Sequence, residues 1–156
     1  MKKILTGLMA ATLISTSALA ESARDRAQTV VPKAWKDSYK EWHYAPAVKV
    51  DGRIYVSGVA VVPEHGDYAA AYRNAWHKIG EILRASGASL DDVVEIVSYH
   101  TNLKAQLPEF GRVKDEFIRA PYPAWTAVGV SELAMPGEVA EIRVVAHAGG
   151  IHDLTG

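Results

Sequence analysis

The sequence predicts an α+β domain of element order ββαβαββ, in which two helices cover one face of a mixed β-sheet. Three observations lead to this prediction: two alternating apolar runs around a turn dipeptide, two apolar stripes at helical spacing, and three later apolar runs of strand length. Residues 127–130 are all small or apolar, so the sheet face without helices needs a partner. We therefore expect the protein to form oligomers.

The first two strands are predicted from the run AVKVDGRIYVSG, residues 47–58. Apolar residues alternate on both sides of Asp51-Gly52. This dipeptide is favoured in two-residue hairpin turns because both central positions need positive φ. The run therefore predicts an antiparallel hairpin.

Two helices are predicted from apolar residues that recur every three or four positions. The first spans residues 67–85 and is followed by Gly87, the residue type that most often ends a helix. The second spans residues 107–118, and the loop APYP ends it. A strand is predicted between the helices at 93–101, and two more follow at 125–132 and 139–148.

The first 20 residues have the pattern of a secretory signal peptide. Lys2 and Lys3 precede an apolar run that Ser and Thr dilute, and an Ala-x-Ala site ends it at Ala20. We expect cleavage after Ala20 and a periplasmic or secreted protein. No membrane association is expected once the signal peptide is removed.

The rest of the chain is divided into three parts. Residues 21–42 mix charges with few ordered apolar positions, and we predict an N-terminal arm packed down by Trp35 and Trp42. Residues 43–150 form the predicted domain, and residues 151–156 form a C-terminal tail.

Composition argues against several classes of protein. Removing Lys2 and Lys3 with the leader changes the formal net charge from −1 to −3, and no basic run remains to bind nucleic acid. The chain has no cysteine, hence no disulfide and no thiol nucleophile. Its six histidines include no pair at the three- or four-residue spacing of metal ligands, so we expect no metal and no other cofactor.

One carboxylate stands out as a candidate for chemistry. Ser57 lies in VSGVA rather than in a strand-to-helix nucleophile elbow, which argues against a Ser-His-Asp hydrolase. Glu141 lies in the middle of the apolar strand VAEIRVVA, where an unpaired carboxylate is costly. Arg143 shares its strand face. Two interpretations stay open: an ion pair between Glu141 and Arg143 on a solvated face, or a carboxylate in a polar cleft.

The order of these runs resembles the RidA family, also called YjgF/RidA or L-PSP endoribonuclease-like proteins. The runs YAPAVKVDGRIYVSG, ILRASGASLDDVVEIVSYHTNL, FGRVKDEF, PYPAWTAVGVSELAMPG and VAEIRVVAHAG follow each other over about residues 44–148. The resemblance implies a chorismate-mutase-like fold and a homotrimer with a small-molecule cleft at each subunit interface. It also implies hydrolysis of reactive enamines and imines, such as 2-aminoacrylate, to a 2-keto acid and ammonia.

The resemblance further implies which residues form the site. Glu141 matches the family's buried glutamate, which positions the attacking water, and Ser57 with Gly58 matches the wall of the cleft. We therefore predict Glu141 and Ser57 as catalytic residues. Further ligand-binding positions implied by the resemblance are Tyr44, Gly58, Thr101 and Asn102.

The sequence departs from the family at Trp125. In the imine deaminases the strand after Pro-Ala begins with arginine, as in P-A-R-[ST], and this guanidinium grips the substrate carboxylate. The indole of Trp125 offers instead one neutral N–H and a π face. Ala127, on the same face, is small where many relatives have a polar residue. We predict an apolar and aromatic pocket, with Trp125, Ala127 and Arg143 among the ligand-binding residues.

Three hypotheses about function follow. The one we favour is an exported RidA-like trimer that hydrolyses or deaminates a neutral or aromatic molecule held against Trp125, with Glu141 as general base. The second is a genuine enamine or imine deaminase in which Arg143 or Arg119 supplies the missing charge. The third is a non-catalytic ligand-binding or chaperone-like trimer.

Overall fold

The structure, a computed structural model, describes residues 22–148. The helices are α1 (Ala23–Arg26), α2 (Lys36–Trp42), α3 (Tyr68–Ala85) and α4 (Leu103–Phe117). The strands are β1 (Gln28–Val30), β2 (Ala47–Val50), β3 (Arg53–Val61), β4 (Val93–His100), β5 (Ala124–Gly129) and β6 (Ala140–His147). Single 3-10 turns occupy Lys33–Trp35 and Leu90–Asp92.

The six strands form one mixed sheet in the order β1-β2-β3-β6-β4-β5. β4 and β5 are parallel, and α4 makes the crossover that a parallel pair requires. The other neighbouring strands are antiparallel. From β2 to β6 the elements follow the order ββαβαββ, so the predicted α+β fold is confirmed.

The hairpin between β2 and β3 turns at the predicted dipeptide. Asp51 and Gly52 have φ angles of 48° and 75°, and Val50 pairs with Arg53 across the turn. Two successive positive φ angles define the type I′ turn, whose twist matches that of paired strands. This turn fixes the register of β3, which carries part of the candidate site.

The two long helices cover one face of the sheet. The Asp67 carboxylate accepts a hydrogen bond from the Ala70 N–H at the start of α3, and Gly87 follows its end at φ 78°. Helix α4 begins at residue 103, four residues earlier than predicted. Pro108 lies inside the helix, where it removes one backbone N–H but does not end the helix. The largest side chains buried beneath the helices are Trp76, Tyr72, Phe110, Ile54 and Ile79.

The segment predicted as an arm contributes a strand to the sheet. β1 pairs with β2 at the sheet edge, and Val30 is buried in the core. Trp35 packs against the core, but Trp42 is 72% exposed, so the prediction that Trp42 packs this segment down is wrong. β1 was not predicted because its three residues are too few to show the alternation of apolar and polar residues that identifies a strand.

No helix within residues 22–148 is long and apolar enough to cross a membrane. The predicted signal peptide, its cleavage after Ala20 and the tail at 151–156 lie outside the described residues. They stay predictions.

Candidate functional site

Glu141 is the second residue of β6, the strand that lies between β3 and β4. Its partners across the sheet are Ala60 on β3 and Tyr99 on β4. Its neighbours along the chain, Ala140 and Ile142, are fully buried. Alternation therefore places Glu141 on the helix-free face. A central strand, rather than a loop, holds the carboxylate in position.

Gly58 leaves the space that the Glu141 carboxylate occupies. The pairing of β3 with β6 shifts between Val56 and Val59, which marks a β-bulge. A Cβ atom built on Gly58 would lie 2.0 Å from Glu141 Oε1. Position 58 must therefore be glycine if Glu141 is to keep this orientation.

The bulge also places Ser57 at a cleft of about 470 Å³. Ser57 Oγ donates a hydrogen bond to the Ala45 carbonyl at 2.7 Å. Because that bond uses the hydroxyl hydrogen, Ser57 can act toward a ligand or water only as an acceptor. The lining of the cleft also includes Trp35, Ser38, Tyr44, Gly58, Asn74, Lys78 and Met135.

Arg143 lies on the same strand face as Glu141, opposite Val97 on β4. Among the ion pairs between described residues, none joins Arg143 to Glu141. The interpretation of Glu141 as half of a surface ion pair is therefore wrong. The other interpretation, in which Glu141 is a carboxylate in a polar cleft, remains.

A second carboxyl group, Glu138, lies beside Glu141 and was not predicted. Glu138 is only 7% exposed, and its Oε2 accepts a hydrogen bond from the Met135 N–H at 3.0 Å. Burial raises the pKa of Glu138, the charge and hydrogen bond of Glu141 raise it further, and the Met135 N–H opposes them. No sequence signal marks Glu138, because a glutamate after Gly137 resembles any turn residue.

Trp125 lies on β5, the edge strand, and aligns with Ile96 on β4, so it faces the helices. The centre of its ring system lies 5.7 Å from that of Phe110. Its Nε1–H donates to Ser98 Oγ at 3.0 Å. Because the N–H is already paired, the 37% of Trp125 that is exposed offers a ligand mainly its aromatic surface.

The hydrogen bonding behind Trp125 continues into the core. Ser98 Oγ accepts from Trp125 and also lies within hydrogen-bonding distance of His100 Nε2, at 3.0 Å. Both Ser98 and His100 are fully buried. Burial lowers the pKa of His100, which keeps the ring neutral near pH 7. This chain of three groups fixes the orientation of the indole.

Lys114 on α4 places a cation over the same indole. Its Nζ lies 5.1 Å from the Trp125 ring and 5.8 Å from the Tyr122 ring, and it forms an ion pair with Asp115. Lys114 is only 8% exposed. Its place four residues after Phe110, on the apolar stripe of α4, was the sequence signal that could have identified it.

The other predicted ligand-binding residues lie near the ends of β4 and β5. Ala127 aligns with Ser98 and lies on the same face as Trp125. Thr101 Oγ1 donates to the Val139 carbonyl at 3.1 Å. Asn102 precedes α4, and its side chain makes no capping hydrogen bond.

The predicted residues form two groups within one chain. Ser57, Gly58 and Glu141 meet around β3 and β6, whereas Trp125 and Ala127 lie on β5, beyond β4. Glu141 and Trp125 also face opposite sides of the sheet. Glu141 and Trp125 therefore do not converge inside a single chain. Across residues 22–148, no three metal-ligating side chains lie close together.

The fold and Glu141 together define the class of protein. It is an α+β domain with a glutamate on a central strand of its sheet. The sequence pattern of the family described as Endoribonuclease L-PSP matches residues 37–148. The chain belongs to this family, the YjgF/RidA proteins.

Named relatives support the assignment. The RutC family protein YjgH of Escherichia coli is 35% identical over 122 residues, which cover 75% of this chain and 92% of the relative. The 3-aminoacrylate deaminase RutC of Acinetobacter baylyi is 36% identical over 112 residues, 67% of this chain and 86% of RutC. The 2-iminobutanoate/2-iminopropanoate deaminase of Bos taurus is 34% identical over 115 residues, 68% and 80% of the two chains.

Solved structures agree with the fold. A structure of protein YjgH superposes with a TM-score of 0.70 at 31% identity, covering 78% of this chain and 96% of YjgH. Rv2704 of Mycobacterium tuberculosis, described as a YjgF/YER057c/UK114 family member, gives a TM-score of 0.68 at 27% identity. It covers 78% of this chain and 98% of Rv2704.

Proposed function

We propose that this chain is an exported hydrolase or deaminase that acts on a neutral or aromatic small molecule in a cleft between subunits. The observation that supports it most is the Glu141 carboxylate, which lies against Gly58 with no ion-pair partner among the described residues. The deaminase names of two relatives support a C=N bond as the target. Export rests on the pattern of residues 1–20.

Glu141 would act as the general base. It takes a proton from water as the water oxygen bonds to the C=N carbon, and the π electrons move to nitrogen. Glu141 returns that proton to the nitrogen, which gives a carbinolamine. It then moves the hydroxyl proton to nitrogen, the C–N bond breaks, and a carbonyl compound and ammonia leave. Ser57 Oγ, limited to accepting, would orient the water.

The cleft would be completed by a second copy in a homotrimer. Glu141 and Trp125 lie on different strands and opposite faces of one chain. Trp125 lies on the edge strand β5, where a neighbouring subunit can approach. A site containing both side chains therefore requires a neighbouring chain.

The substrate class follows from the surroundings of Trp125. Its aromatic surface is exposed while its N–H is bound to Ser98. The nearby charge of Lys114 is compensated by Asp115. A flat, uncharged or aromatic group suits such a surface better than a carboxylate does.

Ammonia release tests this proposal when two imines are compared, an aromatic one without a carboxylate and freshly generated 2-aminoacrylate. We expect the mature protein to prefer the uncharged imine. The variant Glu141→Gln should lose about 10²- to 10⁴-fold in rate, the usual contribution of a general base. Binding of an aromatic ligand without ammonia release from either imine would instead support the non-catalytic trimer.

A second candidate is a genuine enamine or imine deaminase with a relocated cation. The sequence suggested Arg143 or Arg119, but the pockets that Arg119 lines with Leu90 and Asp91 do not include Trp125. Lys114 is better placed because its amine lies over the Trp125 ring. If this candidate is correct, the mature protein turns over 2-aminoacrylate and Lys114→Met loses about 2–5 kcal/mol of substrate binding. A silent wild type, or an unaffected Lys114→Met, excludes it.

A further inference from the structure

The two glutamates at the site point to a function for Glu138. We propose that Glu138 and Glu141 form a carboxyl pair that holds one proton, with Glu138 as the protonated partner that positions the charged Glu141. Glu138 is then a positioning residue, acting on the substrate only through Glu141. Its value for catalysis rests on the proposed function, but the pair itself does not.

The hydrogen bonding of Glu138 calls for a proton on its carboxyl oxygen Oε1. Glu138 Oε2 is occupied by the Met135 N–H. Glu138 Oε1 is fully buried and accepts no hydrogen bond from the described residues. A buried, unpaired carboxylate oxygen is costly. If Oε1 carries a hydrogen it becomes a donor, and the Glu141 carboxylate, whose charge and hydrogen bond raise the pKa of Glu138, is its acceptor in this proposal.

The position of Glu141 leaves it few ways to avoid this contact. Its carboxylate fills the space above Gly58, where even a Cβ atom would collide with it. Glu141 is thus held between Gly58 on β3 and Glu138, which lies two residues before β6 begins. One carboxyl donating to the other replaces charge repulsion by a charge-assisted hydrogen bond.

The charged groups around Glu138 favour the protonated form. Glu141 is the one described residue whose charge acts on it. On β4 the titratable side chain nearest in register is His100, opposite Ala140. Burial lowers the pKa of His100, so this ring supplies no positive charge near pH 7. From β3, the Val61 carbonyl accepts a hydrogen bond from the N–H of Val139, the residue that follows Glu138.

A pH titration of the glutamate carboxyl carbons by ¹³C NMR tests the pair in the full mature chain. We expect one resonance that titrates above the usual glutamate range in the wild type and is missing from Glu138→Gln. The amide of this variant can still accept from Met135 and donate to Glu141, so the fold should persist. In Glu141→Gln the same midpoint should move down, because the neighbouring charge is gone. The exposed Glu132→Gln is the matched control and should leave the midpoint unchanged.

Two outcomes would overturn the pair: a raised resonance that persists in Glu138→Gln, or a midpoint that is the same with and without Glu141. Neither measurement uses a substrate, so a failure of the proposed deaminase chemistry would not be mistaken for a failure of the pair. Where turnover is found, the fall in rate at high pH, which deprotonation of Glu138 causes, should be missing from Glu138→Gln. An unchanged pH profile would show that Glu138 is only structural.

Discussion

Among single residues, the candidate site depends most on Glu141, whose carboxylate lies against Gly58. Glu141 could be recognised because a glutamate in an apolar strand needs a reason, and Trp125 because it departs from the family pattern. Glu138 could not, since its importance comes from a turn that brings it next to Glu141. The same holds for the bond from Trp125 to Ser98, which depends on the alignment of β4 with β5.

The substitution Gly58→Ala separates function from stability. The backbone at position 58 does not have the positive φ that favours glycine. The alanine Cβ would collide with the movable end of the Glu141 side chain. We expect the free energy of unfolding to change by less than about 1 kcal/mol, while the displaced carboxylate lowers kcat/KM about 10²-fold. Thermal unfolding and ammonia release check the two parts.

Gly111→Ala on α4 is the control for this variant. A Cβ atom there meets nothing within 4 Å. Alanine should therefore stabilise the helix by about 0.5–1 kcal/mol and leave turnover unchanged. Equal loss of activity in both variants would contradict the account of Gly58.

At the scale of elements, regular patterns were predictable and short ones were not. The hairpin at Asp51-Gly52 and the helix before Gly87 follow from local rules of turn and cap chemistry, and both were found. The early start of α4 was missed because Pro108 resembles a helix break, and the strand β1 depends on its pairing with β2. β1 in particular is a strand because its partner β2 is present.

Val30→Ala tests whether the former arm is part of the domain. Val30 is 6% exposed within the core, so removing two methyl groups should lower the free energy of unfolding by about 1–3 kcal/mol. Thr29→Ala, an exposed position on the same strand, should change it by less than about 0.5 kcal/mol. Denaturant unfolding of both variants measures the difference. Equal, small effects would mean that β1 is dispensable.

At the scale of the whole molecule, the fold and family followed from the order of motifs, whereas the assembly is an inference from a divided site. Val128 is apolar, and its register with Tyr99 places it on the helix-free face. If that face is covered in a trimer, Val128→Lys should reduce the mass in light scattering from three chains toward one. Val94→Lys, at a valine that is 52% exposed, should not. A wild type that is monomeric at micromolar concentration would contradict the intersubunit cleft.

We infer that Glu141 retains the chemistry of the family, whereas Trp125 in place of arginine removes the grip on a substrate carboxylate. Turnover of freshly generated 2-aminoacrylate, followed as keto acid and ammonia release for wild type and Trp125→Arg, tests it most directly. We expect a nearly silent wild type and a gain of about two to three orders of magnitude in Trp125→Arg, which is lost again when Glu141→Gln is added. An active wild type whose rate Trp125→Arg does not raise would contradict it.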